Sequence, residues 1–576
     1  MRRKRAEQVL TIMGFGSILL AVTVAWHTPA TSYELSILQE TPFITWGALF
    51  LSLLLGIGLS FYGQHFRRFG IFLSGLTLLS WISMPLIRGY YLYAPDALVH
   101  LGHVKSILET GQTDSIFYPA THILASTLSM IGAVESRIAL YIMTPIFAIL
   151  YFIFTPLFIT RVSTADHRAG YGVALVLTLM LLPVNWMGVH LHPHPASYGI
   201  FFIPALLFIV FQYQRTPELE NRVLLLTSIP FLVLIHPLVA VFALGVFIAF
   251  EAVSLTVSAW RGKLSMSASL AFPVAFLSIL VMYYVLRFEY FQSTFIGVIT
   301  ALFASTPESA TAAETTGLTQ LGLNPLEIAL RYIGVSLVIG IIAAIAGLAS
   351  LRKVLNRRDT IADRWILFAC LSMIPLFGMA AVFFVSGFSL HFRVLGLGMV
   401  LCTIAAGIYL TDRSYIPSNP SKLVSYAATA GLTILLALSL LTALPSPFIM
   451  QSMGHVSESM ASGGEVTATY ADSNHDVETI RTHWSRLMYG TMLRDVPNSQ
   501  RLPPDHFNER NLPAAYSGKV YLFTTQEDRE VDGDLYQGLR FNKGDFEYLE
   551  EDPSIDHVVS TGDSDVYLVS GQNSTR

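Results

Sequence analysis

The sequence predicts an all-α polytopic membrane domain of about thirteen transmembrane helices, joined to a small C-terminal α/β or α+β domain. Three observations carry this: the composition, the spacing of long apolar runs, and an asymmetry of charge. Of 576 residues, 53% are hydrophobic and 13% charged, where soluble domains carry about 25% charged residues. From residue 446 onward there are 21 Asp and Glu against 10 Lys and Arg, a net of −11, so the preceding part carries +7 within the overall −4. A basic, apolar body therefore precedes an acidic, polar tail.

A helical span needs about 20 mostly apolar residues. Such runs fall near 9–26, 43–62, 69–87, 137–160, 170–189, 196–213, 222–236, 237–258, 268–287, 326–350, 365–387, 394–411 and 423–444. Orientation follows from Lys and Arg in short loops. With the basic Arg2-Arg3-Lys4-Arg5 start inside, the inner loops hold Arg67-Arg68, Arg161 with Arg168, Arg215 with Arg222, Arg261 with Lys263, Arg352 to Arg364, and Arg413 with Lys422. The outer stretches 27–42 and 288–325 hold no Lys or Arg. An odd number of spans puts the C-terminal domain outside, in a multi-pass protein of the cell membrane. No small-residue cleavage site follows the first run, which reads as an uncleaved span.

The expected organisation is a transmembrane domain over 1–445, a Ser/Gly-rich linker over 446–464 and an acidic extracytoplasmic domain over 465–576. In the last, 475–493 reads as a helix, 519–523 and 558–569 as strands, and Thr561-Gly562-Asp563-Ser564 as a hairpin turn. Residues 288–325 include a low-complexity stretch that reads as a mobile loop over the outer face, a lid or a linker.

The outer segment 88–136 carries the most informative pattern. After Tyr93-Ala94-Pro95, residues Asp96, His100 and His103 recur on one helical face, beside an apolar stripe of Ala97, Leu101, Val104 and Leu108. Gly111 closes this helix, and Tyr118-Pro119-Ala120-Thr121-His122 opens another. An Asp at the bilayer boundary can hold a divalent cation (Mg2+ or Mn2+) or accept a proton from a hydroxyl; a neighbouring His can hold phosphate. The alternative is a polar helix face wetted by headgroups. His190, His192 and His194 alternate with prolines in a short outer loop, where phosphate or metal binding competes with a plain wet loop. His391 and Arg393 open the twelfth span, His236 ends the seventh, and Arg88 and Arg137 flank the long loop. Such groups pair with lipid phosphate or merely snorkel. Eight of the 16 histidines fall in these segments at the outer leaflet.

Other signals are weak. Asp563-Ser564-Asp565 looks like a metal-binding triplet but sits where a turn favours Asp. Cys370 and Cys402 lie in apolar runs and read as inert thiols. Asn573-Ser574-Thr575 is a glycosylation triplet of a kind common by chance. There is no phosphate-binding loop for ATP and no sign of a nucleic-acid partner.

Tyr93 to Leu101, Ile107-Leu108-Glu109-Thr110-Gly111 and Tyr118 to His122 together resemble the first large external loop of GT-C glycosyltransferases. The stretch 555–567 resembles a closing hairpin of archaeal polytopic proteins of this kind, and the overall plan is similar to the oligosaccharyltransferase branch. The resemblance implies a polyprenyl (dolichyl) phosphate sugar donor, Asp96 as catalytic or metal-contacting residue, and a lipid-linked glycan or glycoprotein as acceptor. His100, His103, His122, His192, His194, His391 and Arg393 would then bind substrate. Two features depart from the pattern: the large loop follows the third span, and the Trp-Trp-Asp acceptor motif is missing, with His483-Trp484-Ser485-Arg486 the nearest match. A transporter or lipid-glycan flippase without glycosyl transfer is the alternative class, and a membrane scaffold the third.

Overall fold

The computed structural model describes all residues except 1, 114–115, 164–168, 185–189, 262–268, 290, 294–295, 298–299, 301–318, 386–390, 416–421, 495, 497–501 and 572–576. Most of the predicted mobile loop thus lies outside the described residues.

Every predicted span meets a helix, from Arg2–Trp26 to Lys422–Leu441, but the helix at 170–189 ends at Leu179, with 180–183 in turns and 185–189 outside the described residues. Among the described residues, eight helices are long and apolar enough to cross a membrane; Gly170–Leu179, Ala271–Arg287 and Ala427–Leu441 are shorter apolar helices. Arg67–Ile82 and Leu219–Ile235 complete the set. The pair split at His236 is confirmed, with His236 alone between helix Leu219–Ile235 and helix Pro237–Arg261. Small residues allow close helix approach. Between Phe43–Tyr62 and Arg67–Ile82, a Cβ on Gly56 would stand 3.0 Å from the Gly70 carbonyl oxygen, so the backbones nearly touch. Their connection is pinned by Glu7, whose carboxylate accepts hydrogen bonds from the N–H groups of Gln64, His65 and Phe66.

Between the third and fourth spans stand two helices that the predicted pattern anticipated, Asp96–Thr110 and Pro119–Gly132. The first ends at Gly111 in the left-handed region (φ +70°), where glycine pays no Cβ penalty. The chain enters it through strand β1 (Leu92–Tyr93), which pairs antiparallel with β2 (His455–Val456).

The C-terminal part is a four-stranded sheet with flanking helices. Its strands β3 (Val477–Thr479), β4 (Lys519–Thr525), β5 (Ile555–Ser560) and β6 (Ser564–Ser570) stand in the order β3-β4-β6-β5, with only the β3–β4 pair parallel. The predicted hairpin turn is present, with Gly562 at φ +95°. Two expectations are corrected. Over 475–493 the β-branched Val477 and Thr479 make a strand, and the helix is confined to Trp484–Met492. The stretch 446–464 is not a free tether, because Ser457 caps a helix, Glu458–Tyr470, that runs through the expected boundary at 464. Its glycines serve close packing: a Cβ on Gly463 would strike the Ser564 hydroxyl, and one on Gly464 the Leu487 side chain.

One apolar core runs from the membrane helices into Met453, Val456, Met460, Trp484, Leu487 and Met488. A second, around Phe507, Phe541, Phe546 and Tyr567, belongs to the sheet. The C-terminal part thus has a core of its own and one face docked on the helical body.

Candidate functional site

The docking is closest where helix Trp484–Met492 crosses helix Asp96–Thr110. A Cβ on Gly490 would lie 2.6 Å from the Leu98 carbonyl oxygen, and one on Gly102 would lie 2.8 Å from that of Tyr489. Only a hydrogen fits at either position. This contact brings Arg486 onto Asp96, and their guanidinium and carboxylate form an ion pair. It also brings the Tyr489 hydroxyl to His103 Nδ1, 3.0 Å away. Sequence reasoning singled out Asp96 but not these partners, which are almost 400 positions distant.

The histidines gather as their shared side predicted. His100 Nδ1 and His122 Nε2 are 3.1 Å apart, and His122 Nδ1 donates to the Tyr118 carbonyl at 3.1 Å. His100 meets His194 edge-on at 6.0 Å, and His190 stacks on His192 at 4.5 Å. Tyr118 stacks on His236 at 5.3 Å, while Tyr93 meets His192 edge-on at 5.4 Å. Seven histidines from four chain segments therefore share one ring-to-ring cluster. Arg393 lies near enough for its charge to bear on His190, His194 and His236. His391 opens helix His391–Thr411, and its side chain lies outside those described.

Burial governs the electrostatics. It pushes His100 and His192 down to about 3, and His103 to about 4. For His122, His190, His194 and His236, burial is again the first cause of a pKa held well below the usual 6.5, with neighbouring histidines or Arg393 adding to it. The cluster is therefore neutral at pH 7, and the local cations are Arg393 and Arg486. Neutrality also fixes tautomers, assigned here from the hydrogen-bond network. His122 spends its N–H on the Tyr118 carbonyl, so its Nε2 accepts from His100 Nδ1. His100 is left presenting a lone pair at Nε2, suited to a hydroxyl donor and unsuited to a phosphate oxygen.

Arg88 and Arg137, expected as possible phosphate ligands, are engaged elsewhere. Arg88 is buried and bonds Glu34 at 2.6 Å, Thr41 at 3.0 Å and the Thr28 carbonyl at 3.0 Å. Arg137 pairs with Glu135 at 3.0 Å and lies over the Tyr91 ring. They belong to a clasp in which His455 stacks on Tyr90 at 3.7 Å. Asp563 of the weak triplet is part of the same docking, accepting from the Tyr33 N–H at 3.1 Å and the Ser459 hydroxyl at 2.7 Å.

For the foreseen Mg2+ or Mn2+, the described residues contain no group of three His, Cys, Asp or Glu placed to share an ion. The Asp96 carboxylate faces a guanidinium instead. This donor set does not fit a resident cation.

An apolar cavity of about 1100 Å³ lies between the helices Pro325–Leu355, Ile361–Val385 and His391–Thr411. Ile328, Leu337, Gly340, Phe377 and Met399 line it, and Gln451 and Tyr536 of the C-terminal part border it. Its wall residue Tyr332 lies within electrostatic reach of Tyr93, which touches His192. The cavity therefore approaches the histidine cluster.

In fold, the chain is similar to ArnT from Cupriavidus metallidurans bound to undecaprenyl phosphate, with a TM-score of 0.46 and 12% identity over 88% of this chain and 98% of that one. It is also similar to the archaeal oligosaccharyltransferase AglB from Archaeoglobus fulgidus in complex with an inhibitory peptide and a dolichol-phosphate, with a TM-score of 0.45 and 12% identity over 88% of this chain and 75% of that one. ArnT in the apo state gives a TM-score of 0.42 at 11% identity. No family model and no curated protein matches the sequence.

Proposed function

We propose that the chain is a multi-pass membrane glycosyltransferase of GT-C type. It takes a sugar from a polyprenyl (dolichyl) phosphate donor and passes it to a lipid-linked glycan or glycoprotein on the outer face, where the C-terminal domain also lies. The observation that carries this reading is the meeting of Asp96, its partner Arg486, Arg393 and a neutral histidine cluster beside a large apolar cavity.

Each part has a task. The cavity takes isoprenoid chain from the bilayer, where packing of the chain against the helices and not release from water favours entry. Arg393 and Arg486 offset the phosphate charge by charge-assisted hydrogen bonds. The acceptor hydroxyl attacks the sugar's anomeric carbon as the bond to the phosphate oxygen breaks. Asp96 takes the hydroxyl proton, and the leaving polyprenyl phosphate keeps the bonding pair. Arg486 holds the Asp96 carboxylate in place, and the Nε2 lone pair of His100, one turn along the helix, receives a second hydroxyl of the acceptor. His103, His122, His192 and His194 shape the pocket as neutral hydrogen-bonding rings.

The test is binding of polyprenyl phosphate to the purified full chain. A hydrogen bond to a charged group is worth about 1.5–3 kcal/mol, so Arg393→Ala should weaken binding about 10- to 100-fold and leave folding intact. Unchanged affinity would remove Arg393 from the site. Tight binding of the lipid with no sugar transfer from any donor would favour the flippase class.

A further inference from the structure

At the opposite end of the bundle from the histidine cluster, a second cavity of about 660 Å3 opens between the ends of five helices, Ser136–Val162, Pro195–Arg215, Pro237–Arg261, Pro325–Leu355 and Ile361–Val385. Its lining includes Arg161, Arg215 and Arg364 and, among the described residues, contains no Asp or Glu. Arg364 is held by Asp359 at 2.8 Å, and the other acid of that turn, Asp363, by Lys353 at 3.3 Å. Arg161 and Arg215 have no ion pair or hydrogen bond among the described residues.

Two buried donors in the same lining also lack a partner among the described residues: Gln214 Nε2 and the Ser163 hydroxyl, each in a residue only 9% exposed. A buried donor left without an acceptor is destabilising, so two of them beside two guanidinium groups with no partner among the described residues mark a place short of acceptors. The rest of the wall is mostly apolar and carries four aromatic rings, Phe211, Phe250, Trp365 and Phe368. Arginine at a helix C-terminus also offsets the helix dipole, but that role calls for neither a cavity nor an unpaired buried amide.

We propose that this cavity binds the phosphate of an anionic membrane lipid. Arg161, Arg215, Gln214 and Ser163 take the phosphate oxygens, and the aromatic wall takes the start of an acyl chain. Basic pockets between spanning helices on the cytoplasmic side suit anionic headgroups in this way. The mixed wall favours a lipid over a free anion, since inorganic phosphate would leave the aromatic half unfilled. The site is separate from the proposed transfer site, and its occupancy does not depend on that reading.

The experiment is the thermal stability of the delipidated full chain in detergent, titrated with short-chain phosphatidylglycerol, with phosphatidylcholine or with inorganic phosphate. Phosphatidylglycerol should raise the Tm, and phosphatidylcholine should not. The double variant Arg161→Gln/Arg215→Gln should lose the shift, and Gln214→Leu should move its midpoint at least tenfold. Arg68→Gln, an exposed cation of another loop on this side, should keep the shift and serves as the control for net charge. Should the double variant fail to fold, Gln214→Leu alone decides. An equal response to both lipids, or an unaltered midpoint in Gln214→Leu, would overturn the site. An equal shift from inorganic phosphate alone would overturn the lipid assignment.

Discussion

Replacing His192 by Phe should make the loop that carries it less sensitive to acid. His192 is 2% exposed, and burial sets its pKa near 3 in the folded chain, against 6.5 when exposed. A group whose folded pKa is depressed by neutral burial favours the open state wherever that state binds the extra proton. Here that begins below about 6.5 and grows as the pH falls toward 3. At pH 5 the open form is 1.5 pH units below its pKa. At about 1.4 kcal/mol per unit, one histidine then disfavours the closed form by about 2 kcal/mol, close to a thirtyfold change in the opening equilibrium. Phe keeps a ring against His190 and Tyr93 but cannot take a proton. Amide exchange over 190–200, corrected for intrinsic rates, should therefore lose about thirtyfold more protection in the wild type than in His192→Phe on going from pH 7.5 to pH 5. Identical losses in the two proteins would refute the neutral, buried assignment.

Three further outcomes follow from the geometry. Gly490→Leu should separate helix Trp484–Met492 from helix Asp96–Thr110, because its Cβ meets the Leu98 carbonyl at 2.6 Å; faster proteolysis of the C-terminal part and loss of transfer would report it, and unchanged values of both would contradict the close crossing. Gly340 borders the apolar cavity with nothing within 4 Å of its Cβ position, so Gly340→Phe should fold normally and raise KM for the lipid donor about tenfold, with a smaller effect for a donor carrying a shortened chain. Lys519→Cys should react with a membrane-impermeant thiol reagent in intact cells and Arg358→Cys should not; the reverse pattern would invert the orientation.

The membrane part was legible because its signal is local. Twenty apolar residues read as a span wherever they stand, and Gly111 marks the end of its helix by its own backbone. The gathering of the histidines was legible through loop parity, since His100, His122, His192, His194 and His236 all fall between spans on one side. What stayed hidden depends on contacts distant in sequence. Arg486 lies in a short amphipathic helix of the tail, and nothing near it announces that two glycines will bring it to Asp96. Gly463 and Gly464 read as linker because composition does not separate glycine kept for flexibility from glycine kept for close approach. Arg88 looked like an interfacial cation; only the fold places Glu34 and Thr41 around it. Histidine charge was equally invisible, because it is set by burial.

The measurement closest to the central claim is sugar transfer by the purified chain from a polyprenyl-phosphate sugar to a glycan acceptor, compared between wild type and Asp96→Asn. The substitution keeps the size of the side chain and removes its negative charge and basicity. General-base assistance is worth about 10²–10⁴ in rate, so transfer should fall by that factor while polyprenyl phosphate still binds. Transfer at the wild-type rate in Asp96→Asn would contradict the account.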